Sequence, residues 1–212
     1  MTKDEHMGAA ETAQVAEVAA ERRQAVILFV RLRGFTRMAD MLEPERVITL
    51  AGEFFAQTQK VVDANGGETL STQNDALMAT FRHGKPADLV RRAITAAQSL
   101  LYAFAPTAER WQEEYGLPAA ISMGLHLGNV VYGSTGPLGH ARFVALGDAV
   151  NLANRLVHRA RAGEFVLSDT MMGVLQVANL ELDAQPLPAL SLAGGASVGI
   201  YGVLLDTRLD FT

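Results

Sequence analysis

Residues 25–30 read Ala-Val-Ile-Leu-Phe-Val, a run without one polar position, and the Arg-Leu-Arg-Gly-Phe-Thr at 31–36 stops it with charge and glycine. Six apolar residues suit a strand covered on both faces, and they are too few for a buried helix. A strand with two covered faces needs other elements packed on both sides. Three helical patterns supply them. Pro44 opens the first, where Val47, Leu50, Ala51, Phe54, Phe55, Val61 and Val62 recur at helical spacing until Asn65-Gly66-Gly67 ends it. Residues 88–104 carry Leu89, Ala93, Ala96, Ala97, Leu100, Leu101 and Phe104 on one face, and a further helix is expected up to Tyr115, before Gly116 and Pro118. The third follows Gly147-Asp148 and covers 149–160.

Short strand patterns fill the intervals: 68–72 and 76–81 joined at Gln73-Asn74-Asp75, 121–127 and 129–133 joined across Gly128, then 143–146, 164–168 and 199–205. Parallel neighbours need crossovers of roughly a dozen residues, so the tightly joined pairs must be antiparallel. The fold class expected is α+β, with α/β-like alternation and a mixed sheet. Residues 8–24, rich in Ala and Glu without an aromatic, read as a helix with a weak stripe at Val15 and Val18. That helix is either a solvated leader or a link to an upstream sensor. The chain thus divides into a leader at 1–24, a domain at 25–205 and a tail at 206–212.

With 49% hydrophobic and 19% charged residues in 212, the chain is globular rather than disordered. A net charge of -5 with scattered Arg and Lys predicts no nucleic-acid partner. Without a single cysteine, disulfide scaffolds, thiolate metal sites and thiol nucleophiles are excluded together. The N-terminus lacks the apolar core of a signal peptide, and no window reaches the roughly 20 apolar residues of a membrane span, so a soluble cytoplasmic chain is expected.

Asn151 and Arg155 stand four apart on the third helix and therefore share a face. An amide and a guanidinium there suit a ribose and a phosphate, or else make an ordinary solvated face. Asp75 is either a hard-metal ligand or simply a turn former. Residues 128–135, Gly-Asn-Val-Val-Tyr-Gly-Ser-Thr, imitate part of a phosphate loop but lack its Lys. His83, His126, His140 and His158 show no metal-ligand spacing, and His126 reads as a satisfied core residue.

Four stretches together, 25–36 (AVILFVRLRGFT), 66–81 (GGETLSTQNDALMATF), 124–136 (GLHLGNVVYGSTG) and 145–156 (ALGDAVNLANRL), resemble the class III adenylate/guanylate cyclase catalytic domain. The tail 187–204 is similar to that family's closing strand, so the likeness spans roughly 25–205 in the family's order. The resemblance implies a ferredoxin-like palm that works as a head-to-tail dimer. Each site would take two metal-binding aspartates from one subunit, and an Asn, an Arg and base-reading residues from the other. The implied reaction is attack of a ribose 3′-oxygen on the α-phosphate of ATP or GTP, releasing pyrophosphate, with two metal ions and the Arg sharing the developing charge.

By that resemblance Asp75 corresponds to the second metal aspartate, Asn151 to the ribose-orienting residue and Arg155 to the transition-state residue. The first metal aspartate is replaced: its position, two after Phe29, holds Arg31. The adenine-reading Lys corresponds to Ser71, and its Asp partner to Arg142. Because an Arg only donates hydrogen bonds, Arg142 would suit a carbonyl acceptor rather than an adenine amino group. Arg31 is expected to pair with Asp75 across adjacent strands, or alternatively to contact triphosphate oxygens itself. The implied cofactor is Mg2+ or Mn2+ for an active enzyme, and none for an inactive one. Three functions remain open: a degenerate dimeric module that senses nucleotide or regulates, an active cyclase with altered metal use or within a heterodimer, and a scaffold without nucleotide.

Overall fold

The computed structural model describes residues 20–135 and 142–204. Its centre is the expected apolar strand, β1 (Glu21–Arg33), which pairs antiparallel with β3 (Ala76–Phe81) on one side and with β4 (Ala120–Thr135) on the other. The sheet order is β2-β3-β1-β4-β6-β8-β7, with β2 at Glu68–Gln73, β6 at Glu164–Ser168, β7 at Gln185–Ser191 and β8 at Ser197–Leu204. Only the β4–β6 pairing is parallel among the described strands, and β5 (Arg142–Leu146) adds to the far end of β4. The result is a mixed, mostly antiparallel α+β fold, in which the tight join at 73–75 makes β2 and β3 antiparallel as expected.

Alternation along β1 divides the core. Val26, Leu28, Val30 and Leu32 face one layer, where α2 (Pro44–Ala64), α3 (Pro86–Tyr115) and α5 (Asp169–Val177) bury Phe54, Phe104, Trp111 and Met171. Ala25 and Ile27 face the other layer, under α4 (Asp148–Val157), with Val130, Tyr132, Ala149 and Ala153. Both faces of β1 are therefore covered, as its unbroken apolar run requires, but several boundaries differ from expectation.

Glu21–Gln24 belong to β1 and not to a leader helix, because they pair with Asn129–Tyr132 of β4; a tertiary ladder overrides the helical preference of an Ala/Glu-rich segment. The rest of that expected helix, 8–19, and the tail 206–212 lie outside the described residues. Residues 121–127 and 129–133 are not a hairpin but one 16-residue strand. Gly128 is not a turn: a Cβ there would lie 2.8 Å from Ala149 Cβ, so this glycine admits a helix instead. The turn expected at 31–36 holds only Gly34, at φ 90°, before helix α1 (Phe35–Met41). Residues 86–115 are a single helix that accommodates Pro106. Helix α5 was not expected, and the stretch 187–204, expected as one closing strand, is instead the antiparallel pair of β7 and β8.

Candidate functional site

Two corners of the sheet carry the residues singled out from sequence. At the first, β2 and β3 meet through Asn74 and Asp75, with Asn74 in the left-handed region (φ 49°) that asparagine tolerates. The carbonyl of Asp75 accepts the Leu32 N–H at 2.7 Å, which fixes the turn against β1. Beside it, Arg31 Nε donates to Asp75 Oδ2 at 2.6 Å, with 33% and 20% of the two side chains exposed. The pairing expected from sequence is thus present in the chain itself. Arg31 Nη1 also donates to His158 Nδ1 at 2.9 Å, just past the end of α4.

At the second corner, α4 lies along β4 at backbone contact distance. A Cβ on Gly124 would lie 2.2 Å from Val157 N and 2.5 Å from Ala153 O. Gly124 and Gly128 share one face of β4, and Ala149 and Ala153 meet them with the smallest side chains available. Gly147, at φ 138°, starts the helix where a side chain would be strained. This close seat holds Asn151 and Arg155, both exposed, on the wall of a cleft of about 880 Å³. Arg155 Nη2 donates to the Ser191 carbonyl at the end of β7. Arg22, His126, Asn129, Asp148 and Leu192 complete much of the lining.

His126 is half-buried, with Nδ1 2.8 Å from Ser168 Oγ. It is hydrogen-bonded as expected, yet it also faces the cleft, which spacing alone did not indicate. Burial pushes its imidazole below the ordinary 6.5, opposed by the charge of Asp169. As pH falls through 6.5 the unfolded chain takes up this proton before the folded chain does, so stability contributed above 6.5 is lost on acidification. Between about pH 7.5 and 5.5 the melting temperature of the wild type should fall more steeply than that of His126→Asn. Parallel profiles in the two proteins would refute the assignment.

Ser71 is exposed on β2, just past an irregularity in its ladder with β3, and Arg142 is exposed at the start of β5. Neither makes a side-chain hydrogen bond among the described residues. His158 was not expected to take part, although it follows Arg155 by three positions on α4's surface, and that spacing was the available signal. His140 lies outside the described residues. Among the described residues no helix is long and apolar enough to cross a membrane.

A profile of the adenylate and guanylate cyclase catalytic domain matches residues 18–202. The chain belongs to this family, the class III nucleotidyl cyclases. An adenylate cyclase of Anabaena cylindrica is 32% identical over 139 residues, covering 65% of this chain and 28% of that protein. Adenylate cyclase 1 of Rhizobium meliloti is 29% identical over 143 residues, covering 65% and 21%. The chain therefore spans about a quarter of the length of these curated relatives. Among solved structures, the adenylyl cyclase CyaB of P. aeruginosa superposes with a TM-score of 0.81 at 22% identity, over 89% of this chain and 97% of that one. The guanylyl cyclase Cya2 gives 0.76 at 23% identity, over 86% and 92%.

The family generally uses Mg2+ or Mn2+. Hard divalent ions of that kind take carboxylate and other oxygen ligands. Here the Asp75 carboxylate already accepts from a guanidinium. Among the described residues no three acidic, His or Cys side chains gather in a metal-holding group. The residues present do not fit a two-metal centre.

Proposed function

We propose that the chain is a class III cyclase homology domain of cyclic-nucleotide signalling, degenerate in catalysis, that acts as a dimeric nucleotide-sensing or regulatory module. The observation that carries this reading is Arg31: it stands where the family places a metal carboxylate, and it holds Asp75 in an ion pair. Exchanging a negative ligand for a cation places like charges together where divalent ions would sit. Ser71 and Arg142, at the base-reading positions, support the same reading, because a donor-only Arg cannot accept from an adenine amino group.

In a head-to-tail homodimer, Arg31 and Asp75 of one protomer would face Asn151 and Arg155 of its partner. Two guanidinium groups and an amide would then surround a single acid, an arrangement able to hold a polyanion without metal. Sensing is therefore expected to survive excess chelator: ATP or GTP should bind by titration calorimetry with all divalent ions removed. No binding with or without metal would leave the scaffold reading instead.

A second reading is favoured by the exposure of Asn151 and Arg155 on an open cleft. A partner bringing both carboxylates could use them, Asn151 orienting the ribose and Arg155 offsetting charge on the α-phosphate as the 3′-oxygen attacks and pyrophosphate leaves. Product formation from ATP, GTP, CTP and UTP with Mg2+ or Mn2+, read by mass spectrometry, separates the two. Silence from the chain alone is the expected result. Cyclic product that disappears in Arg155→Ala would overturn degeneracy, and activity gained in Arg31→Asp would identify the lost carboxylate as its cause.

A further inference from the structure

We infer that Arg31, Asp75 and His158 form a clasp that closes this corner to divalent metal, with His158 as the positioning residue that holds the guanidinium in place. The inference rests on the degenerate-cyclase reading and extends it to a residue on another element. An arginine side chain has only donors, so at 2.9 Å from Nη1 the Nδ1 of His158 must be the acceptor. In this contact the ring's other nitrogen, Nε2, carries the proton.

Nε and Nη1 of Arg31 are engaged by different partners, Asp75 Oδ2 at 2.6 Å and His158 Nδ1 at 2.9 Å. Two anchors fix the plane of a rigid guanidinium where one would leave it free to rotate. Those anchors join three elements: β1 through Arg31, the β2–β3 turn through Asp75, and the end of α4 through His158. A metal ion between two carboxylates would join only β1 and the turn. The clasp makes that connection and adds the helix bearing Asn151 and Arg155.

Charge completes the argument. A carboxylate pair here would carry two negative charges, whereas Arg31 and Asp75 sum to zero. Directly across the ladder from Arg31 stands Ser122, buried, whose Oγ has no partner among the described residues. It offers one neutral oxygen and no compensating charge. The corner therefore has neither the charge nor the ligand count that Mg2+ or Mn2+ requires.

Mn2+ itself is the probe, titrated into the full chain and followed by the electron paramagnetic resonance of the free ion and by thermal melts. Wild type is expected to show no Mn2+ binding that depends on Asp75, and no Mn2+-induced rise in melting temperature. Arg31→Asp should bind Mn2+ about tenfold tighter or more and should melt higher with the ion, since a ligand confined to the folded state stabilises it. Adding Asp75→Asn to that variant should abolish both effects. His158→Leu, which loosens Arg31, should fall between wild type and Arg31→Asp, while His158→Gln, whose amide oxygen can accept, should behave as wild type.

Mn2+ binding by wild type that is lost in Asp75→Asn would overturn the clasp, and so would identical Mn2+ affinity in His158→Leu and wild type. Should Arg31→Asp fail to fold, the wild-type, Asp75→Asn and His158 comparisons still decide. None of these measurements uses nucleotide, so failure of the clasp and failure of nucleotide sensing are read separately.

Discussion

Gly124→Ala should unseat helix α4 and cost the protein both stability and its candidate site. The added Cβ would stand 2.2 Å from Val157 N, 2.5 Å from Ala153 O and 2.8 Å from Leu156 C, where ordinary contact begins at 3.4 Å. All three atoms are backbone, so no rotamer change relieves the clash. The whole helix must withdraw by about 1 Å, opening the small-residue seam that Ala149, Ala153 and Gly128 close. Overpacking of this kind costs about 3 kcal/mol, the upper end for one added methyl group. At this chain length that lowers the melting temperature by roughly 6–12 °C.

Because His158 follows the same helix, the withdrawal should also stretch its 2.9 Å contact with Arg31. Trp111, the single tryptophan, lies in the opposite layer and reports global unfolding by its fluorescence. The measurement is a pair of melts, wild type against Gly124→Ala, with nucleotide binding taken well below both transitions. A variant that melts with wild type, or that binds nucleotide undiminished, would show that α4 does not depend on this seat.

The same glycine marks where the sequence was readable and where it was not. Apolar runs and helical stripes disclosed β1, α2 and α3 because β1 is covered on both faces and each helix buries one continuous stripe, properties written in local spacing. Gly128 was misread because a glycine inside a strand signals a turn and a close approach equally well, and only the partner helix decides. Glu21–Gln24 misled for a related reason: their strand state comes from Asn129–Tyr132, more than 100 positions away. At the site, the Arg31–Asp75 pair was foreseeable because the resemblance aligns both positions. His158 was not, since its link to Arg31 spans 127 residues and depends on where α4 ends. The cleft face of His126 was hidden likewise, as alternation on β4 gives a side chain's face but not what covers it.

Trp111→Ala tests the other layer and should produce the larger loss of stability with the smaller effect on the site. Trp111 is fully buried between α2 and α3, its ring 5.6 Å from Phe104 at 90°, while Phe104 lies 6.0 Å from Phe54 at 85°. Its indole N–H donates to Glu53 Oε2 at 3.2 Å, and Glu53 is also paired with Arg110. Removing the ring leaves a cavity that two helices on a shared sheet cannot collapse, a change worth about 3–5 kcal/mol. Glu53 keeps its Arg110 partner, so an unpaired buried charge adds nothing to that cost. Trp111→Phe retains most of the apolar volume and should lose only about 1 kcal/mol for the hydrogen bond, plus a little packing. Melts followed by far-ultraviolet circular dichroism, since the fluorophore is gone, should rank wild type above Trp111→Phe and both far above Trp111→Ala. Below its own transition, Trp111→Ala should leave the proposed nucleotide binding unchanged, because Asn151, Arg155 and Arg31 lie across the sheet from the cavity. Loss of binding while the fold persists would mean that the helical layer does more than support the sheet, and that the two faces cannot be treated as independent.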